Sequence, residues 1–572
     1  MSRRARSRAT PGPPPAATGL RAVFLQGWRP YAWLALIGLV LYAQTLGFGL
    51  TYLDDDNLIV KNYRLISDWS NLGRAFCTDM SWQSPGYYYR PLATVSLMLD
   101  AAWAGTRLWG YHLTNVLLHL LDTGLLLWVL LELGHRRRAA FAAALVFTVH
   151  PALAHAVAFI PGRYETVLAC FALLAFGALV RYLRAGGAGW YAVNVGALAL
   201  AMFSKETALI LPAAMLWYAW QSGADHRARR VAVLALGWAA VAAGYLLARQ
   251  AALHWNYHVF NTPAENLVGL LSYIGKVALP VNLSVMPEPR DLPVAYGLIV
   301  AAAAGLLFAA GGIADRRRFW FGLGWFLLFL LPTALRVMDF AYILEQRLYL
   351  PLIGALLMAL ESSLLRRWAG TRAFRAALAA VLILCAAQTV RHSRTFAADL
   401  PFWRNATQHS PHLAFAHALL GERLAEHGQL ADAEDELKQA VALKPDAAPP
   451  YADLGLVYYR RGLLDSAAAA FAICQGIDPG LWNAFDNLGL VYLKQDKPSQ
   501  AEQQFRRAIA VSPQNPAPWN HLSLACYLQG KYQEAIDDYR AAVKYGHEYN
   551  PEVIRTIERE MAGPRRKGGA AP

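Results

Sequence analysis

Three consecutive carboxylates, Asp54, Asp55 and Asp56, follow the first long apolar run of this chain, in the segment YLDDDNLIVKN. Charges at the edge of a bilayer are costly to hold and mark function. A carboxylate there can deprotonate or orient an acceptor hydroxyl during attack on an activated sugar. By its position Asp55 is the first choice for that base, with Asp54 assisting. Adjacent carboxylates also suit Mg²⁺ or Mn²⁺, so a divalent cation is a possible cofactor, although no metal-ligand spacing assigns it a site. Arg347, in EQRLYLP, offers a planar fork that fits phosphate oxygens. Arg163 and Lys205 carry the same potential, and the three together could neutralise a phosphate leaving group. Glu345, Glu206 and Glu165 are their candidate ion-pair partners, and Tyr349 and Arg90 complete the polar set. His150 and His155 are five apart, off a single helix face, and lack the third ligand that zinc needs. His119, inside an apolar run, reads as a packed core residue.

These residues need a membrane to position them. From about Tyr31 to Val390 the chain is a succession of apolar runs, about eleven of them near the roughly 20 residues that cross a bilayer. Their approximate limits are 31–50, 110–133, 138–156, 166–184, 189–203, 206–221, 231–248, 293–312, 319–336, 341–362 and 373–391. Two further apolar stretches, 92–104 and 266–280, break the alternation and read as helices lying on or dipping into the outer face. Arginines cluster in short loops, at Arg136–Arg138, Arg227–Arg230, Arg316–Arg318 and Arg366–Arg375, which puts those loops inside. The same placement explains the net charge of +14 without nucleic acid as a partner. It sends the aspartate triplet, Tyr88–Arg90, His150–Glu165, Ser204–Glu206 and Glu345–Tyr349 to one outer face. Residues 1–28, rich in Arg, Pro and Ala, read as a disordered inner tail, and the first span reads as an uncleaved signal-anchor. The five cysteines form no metal or disulfide pattern.

After a helical junction at 393–413 the sequence repeats every 34 residues, in units 414–447, 448–481, 482–515 and 516–549. Gly421, Gly455 and Gly489 recur at position 8, and Ala433, Ala467, Ala501 and Ala535 at position 20, where paired helices approach closely. Pro445, Pro479 and Pro513 close the second helices. This is a tetratricopeptide array, with 550–572 as a capping helix and tail. Asp453, Asn487 and His521 share position 6, on the concave face, where a polar ladder could bind an extended peptide acceptor. The expected fold class is all-α: a polytopic helical domain over 29–392 followed by an α-solenoid.

YLDDDNLIVKN, YYRPL, GYHLTNVLLHLL, HPALAHAVAFIPGR, FSKE and EQRLYLP, in this order and ahead of 34-residue repeats, resemble the TMTC-type transmembrane and tetratricopeptide-repeat O-mannosyltransferases and their bacterial relatives. The resemblance implies a C-type glycosyltransferase (GT-C) fold, a polyprenyl-phosphate-linked sugar donor and a catalytic acid in the first outer loop. It carries the family's paired aspartates onto Asp54 and Asp55, and its Glu-Arg-x-Tyr motif onto Glu345, Arg347 and Tyr349. Where the family has Glu four residues after His-Pro, this chain has His150-Pro151 and then His155. The Ala- and Arg-rich composition points to a bacterial inner-membrane member with an undecaprenyl-linked donor and periplasmic repeats. A membrane-anchored scaffold for periplasmic assemblies and a ligase or polymerase of lipid-linked glycan are the alternatives.

Overall fold

A chain segment in hydrocarbon must satisfy its own backbone hydrogen bonds, which restricts these apolar runs to helices or closed barrels. The computed structural model describes residues 25–80, 82, 88–223, 228–253, 263–292, 294–334 and 344–563, and it contains helices and no strand among them. Most of the expected tail 1–28, the last residues of the expected tail 550–572, and the facing ends of the expected spans 319–336 and 341–362 lie outside these residues. The chain forms two compact units, residues 1–405 and 406–572.

Six helices of the first unit are long and apolar enough to cross a membrane: Arg29–Gly47, Leu108–Glu132, Ile160–Ala185, Ala228–Ala252, Val294–Gly311 and Arg372–Phe396. A seventh crossing results if Arg137–Val149 and Pro151–Ala158 are one span bent by 53°. The break falls at His150, where the following Pro151 disfavours helical geometry. The other expected spans are shorter helices. Ala188–Ser204 has 17 residues, Arg316–Leu330 15, Tyr349–Leu360 12 and Leu211–Gln221 11. At about 1.5 Å per residue the shortest fall well below the roughly 30 Å of hydrocarbon. Several start late because a 3₁₀ turn precedes them, as Glu206–Ile210 precedes Leu211 and Glu345–Leu348 precedes Tyr349.

The helix Ile160–Ala185 sits at the centre of this unit, with 83% of its apolar window buried, whereas Val294–Gly311 and Arg372–Phe396 bury 6% each. Leu168, Ala172, Leu173, Phe176 and Leu179 line its packed face within the main hydrophobic cluster. Small residues allow close crossings, as expected where lipid tails compete equally for apolar surface. A Cβ on Gly354 would lie 2.4 Å from the Gly322 carbonyl oxygen, so the helices Arg316–Leu330 and Tyr349–Leu360 touch backbone to backbone. The two stretches expected at the outer face are the helices Pro91–Ala104 and Pro263–Ala278.

The second unit stacks four helix pairs, from Ala414–Glu426 and Leu430–Leu443 through Pro516–Leu528 and Tyr532–Lys544, followed by the helix Pro551–Met561, whose Ile557 is buried. The position-8 glycines act as expected. A Cβ on Gly455 would meet the Phe471 ring at 2.8 Å, and one on Gly489 the Phe505 ring at 2.4 Å. The turn inside each pair needs a left-handed residue, supplied by Gly428, Gly462 and Gly530 and, in the third repeat, by Asp496 at φ 58°.

Candidate active site

The loop that follows the first span turns sharply at Tyr52, whose φ of 58° is unusual for a bulky residue. That turn aims backbone donors at one carboxylate. Asp55 Oδ2 accepts from Thr51 N at 2.7 Å and Thr51 Oγ1 at 3.1 Å, and Oδ1 accepts from Tyr52 N at 2.9 Å and Asp56 N at 3.1 Å. Asp55 is 1% exposed and caps the π-helical segment Asp56–Lys61. Burial pushes its carboxyl up to about 6, against the opposing pull of the Thr51 and Tyr52 bonds. Asp55, the first choice for the base, thus has both oxygens bonded within its own loop. Asp56 pairs with Lys61 at 2.8 Å. Asp54 is the accessible member, and its side chain makes no hydrogen bond or ion pair among the described residues. Desolvation by the protein around it raises its carboxyl, followed by the opposing effect of Arg90. With Asp55 bonded to backbone donors and Asp56 to Lys61, Asp54 is the one carboxylate of the triplet without a protein partner among the described residues.

Across from this loop, Arg90 is clamped by Glu206, Nε to Oε2 at 3.0 Å and Nη2 to Oε1 at 2.5 Å. Its guanidinium lies 4.4 Å from the Tyr88 ring centre and 5.1 Å from that of Tyr164. Lys205 pairs with Glu165. Tyr88 joins the parts electrostatically, since Arg90, Glu206, Arg347 and Asp54 all act on its hydroxyl.

Arg163 is not in this group. It is fully buried, with Nη1 2.6 Å from Asp100 Oδ2, Nε 3.0 Å from Asn115 Oδ1 and Nη2 2.8 Å from the Tyr111 carbonyl. Its assignment to phosphate is corrected to one of tying the helix Pro91–Ala104 to two long helices, because every arm of the fork is occupied. Sequence reasoning missed Asp100 and Asn115, although a carboxylate closing the apolar run 92–104 is itself a signal.

Glu345 is also buried. Its Oε1 meets Lys276 Nζ at 2.7 Å and Ser284 N at 2.9 Å, and its Oε2 lies 3.0 Å from His392 Nε2. These partners fasten the turn Glu345–Leu348, which carries Arg347. Arg347 is half-buried and has no hydrogen bond or ion pair from its guanidinium among the described residues. Tyr349, expected beside it, faces the other way: its hydroxyl donates to Asp122 Oδ2 at 2.8 Å and lies 2.7 Å from His119 Nδ1, deep among the helices. It is corrected to a core residue, as His119 was expected to be. An apolar groove of about 310 Å³, lined by Leu39, Tyr42, Leu46, Leu113 and Val116, runs along the end of the first span.

In the repeats, Asp453 and Asn487 are half-buried without a side-chain hydrogen bond among the described residues, and His521 Nδ1 is 2.8 Å from Asp486 Oδ1. Burial pushes the Asp453 carboxyl up to about 7, with Glu422 adding to the rise. Glu502, Cys526 and Glu534 cluster, but Lys531 and Arg506 neutralise the carboxylates.

The tetratricopeptide repeat family model matches residues 419–481 and 487–551. The chain is 34% identical over 167 residues to Protein O-mannosyl-transferase TMTC2 of Homo sapiens, which is 27% of this chain and 20% of that protein. It is 33% identical over 164 residues to the protein of that name from Mus musculus and 32% identical over 186 residues to Tmtc2 of Drosophila melanogaster. In each case it spans about a fifth of the relative's length. Among solved structures, MamA is 20% identical with a TM-score of 0.25, over 28% of this chain and 92% of that one. The chain is a membrane protein similar to the TMTC-type family, and its C-terminal unit is a tetratricopeptide repeat array.

Proposed function

We propose that this protein is a membrane glycosyltransferase that moves a sugar, with mannose the first to test, from a polyprenyl phosphate to a hydroxyl on an extracytoplasmic protein. One observation carries the reading. Of the charged residues gathered around Tyr88, Asp54 and Arg347 are the two whose side chains have no protein partner among the described residues. An unpaired anion and an unpaired cation that both act on Tyr88 suit a reaction that removes a proton and releases a phosphate. The acceptor oxygen attacks the anomeric carbon while Asp54 takes its proton. The bond from that carbon to the phosphate oxygen breaks, and polyprenyl phosphate leaves with its charge met by the Arg347 fork. Arg90 and Lys205, held by Glu206 and Glu165, add positive potential nearby. The apolar groove beside the first span suits an isoprenoid tail. Similarity to relatives named protein O-mannosyl-transferases supports the same chemistry.

The arginine loops support an inside N-terminus and repeats outside. The test is reconstitution of purified protein in vesicles with mannosyl-phosphoryl-undecaprenol and a Ser/Thr peptide. Mannosyl peptide should form, and Asp54→Asn should abolish it. No transfer by the wild type with any polyprenyl-phosphate sugar would refute the reading.

A further inference from the structure

A connector between a last span and a soluble array ordinarily runs exposed and makes few contacts. Residues 392–405 do the opposite. Phe396, Phe402 and Trp403 are fully buried, and Asn405 is nearly so. Phe396 packs on His155 and Phe159, with ring centres 4.9 and 6.0 Å apart, and Phe402 lies 6.1 Å from Phe159. Two bonds run from this stretch to the aspartate loop. Gly49 N donates to the Ala397 carbonyl at 2.8 Å, and Trp403 Nε1 donates to the Thr51 carbonyl at 3.1 Å. Thr51 is the residue whose own N–H and hydroxyl bond Asp55, so the indole holds the start of the turn that carries Asp54. Two further contacts run to the anchor of Arg347. His392 Nε2 lies 3.0 Å from Glu345 Oε2. Asn405 Oδ1 accepts from Val285 N at 3.0 Å, and the N–H of the preceding Ser284 bonds Glu345 Oε1. The proposed base and the proposed phosphate cation sit on loops far apart in sequence, yet one short stretch is bonded to the supports of both. Transfer needs those two groups held in a set geometry, and a misplacement of about 1 Å can cost about 100-fold.

We propose that Trp403 and Asn405 are positioning residues, through which the stretch 392–405 braces the Asp54 loop and the Arg347 turn for the same reaction. The inference rests on the glycosyl-transfer reading above. Trp403 acts on the side of the base and Asn405 on the side of the donor phosphate, a separation that a general loss of packing does not produce.

Trp403→Phe keeps a buried ring and removes the indole N–H, and Asn405→Ala removes the acceptor of the Val285 N–H. Both are assayed in vesicles with mannosyl-phosphoryl-undecaprenol and a Ser/Thr peptide, at a temperature where circular dichroism shows them folded. Trp403→Phe should lower kcat about 10- to 100-fold and leave donor KM unchanged. Trp403→His, which restores a ring N–H, should recover part of that kcat. Asn405→Ala should raise donor KM about 3- to 10-fold, the value of one hydrogen bond, with a smaller change in kcat. A merely structural role would lower the melting temperatures and leave the rates of the folded variants at wild-type values, which overturns the inference. So does a loss in which both variants change the same constant by the same factor. If Trp403→Phe does not fold, Asn405→Ala decides alone, and an unchanged donor KM overturns the inference. In each of these cases an active wild type leaves the glycosyl-transfer reading standing. An inactive wild type removes both.

Discussion

Asp54 and Asp55 are chain neighbours with the same chemistry and opposite surroundings, and the difference sets what each substitution should do. Asp55→Asn replaces an acceptor oxygen with an NH₂ group that faces backbone donors. Leaving such donors unpaired costs about 1–3 kcal/mol, so the variant should melt earlier. Asp54→Asn breaks no bond and should leave melting unchanged while transfer falls about 10²–10⁴-fold, the usual worth of general-base help. Melting curves and initial rates on both variants decide the assignment, and equal transfer by Asp54→Asn and wild type would end it. The pH dependence carries a sign. Burial raises the Asp54 carboxyl, and the base works only when ionised. Activity should therefore be present above that raised value and be lost as pH falls through it, with a midpoint above the ordinary carboxylate value near 4. A kcat/KM profile with its acid limb at or below 4 would contradict this. Arg347→Lys keeps the charge and loses the fork, so donor KM should rise with little change in stability. A collapse of stability would instead make Arg347 a member of the Glu345 anchor.

At the scale of elements, the third repeat departs from its neighbours in one place. Asp496 occupies the left-handed turn position that is glycine in the other three repeats. Glycine adopts that conformation without steric cost, so Asp496→Gly should stabilise the array by about 0.5–1 kcal/mol, read as a higher urea midpoint. Gly489→Ala should do the reverse by about 1–3 kcal/mol, because its methyl meets the buried Phe505 ring. These positions were legible early because the 34-residue period superposes them. The apolar runs were legible for a similar reason: a bilayer imposes a length. Span count was less so, since the 3₁₀ turns at Glu206–Ile210 and Glu345–Leu348 shorten helices without changing composition. The site was half legible. The sequence singled out Asp54, Arg90, Glu206 and Arg347, but it could not show which aspartate the fold bonds internally. That difference follows from the turn at Tyr52, which aims backbone donors at Asp55. Nor could it see that Arg163 is consumed by partners such as Asn115, 48 residues away, because tertiary contacts have no local signature.

At the scale of the whole molecule, the chemistry and the repeats belong to separate compact units, each with its own hydrophobic clusters. Every residue proposed for the reaction lies before Asn405, whereas Asp453 and Asn487 offer polar side chains unpaired among the described residues of the array. Under the proposed function the labour divides between them: the membrane unit transfers sugar and the solenoid presents the protein acceptor. The topology comes first. A reporter active only in the periplasm should work when fused after Pro572 and fail when fused at Arg137, and the reverse would separate the polar clusters from the repeats' compartment. Removal of 406–572 then tests the division itself. The truncated protein keeps the Asp54 loop, the Arg90–Glu206 clamp and the Glu345 anchor of Arg347. It should still hydrolyse mannosyl-phosphoryl-undecaprenol and mannosylate a short Ser/Thr peptide, because neither needs a docking surface. It should lose modification of the natural protein target, found by comparing periplasmic glycoproteins by mass spectrometry with and without this protein. The double change Asp453→Ala with Asn487→Ala should raise the KM for that target and leave donor hydrolysis untouched. Normal modification by the truncated protein would refute an acceptor role for the solenoid. Loss of donor hydrolysis in a truncated protein that remains folded would instead make the repeats part of the catalytic centre.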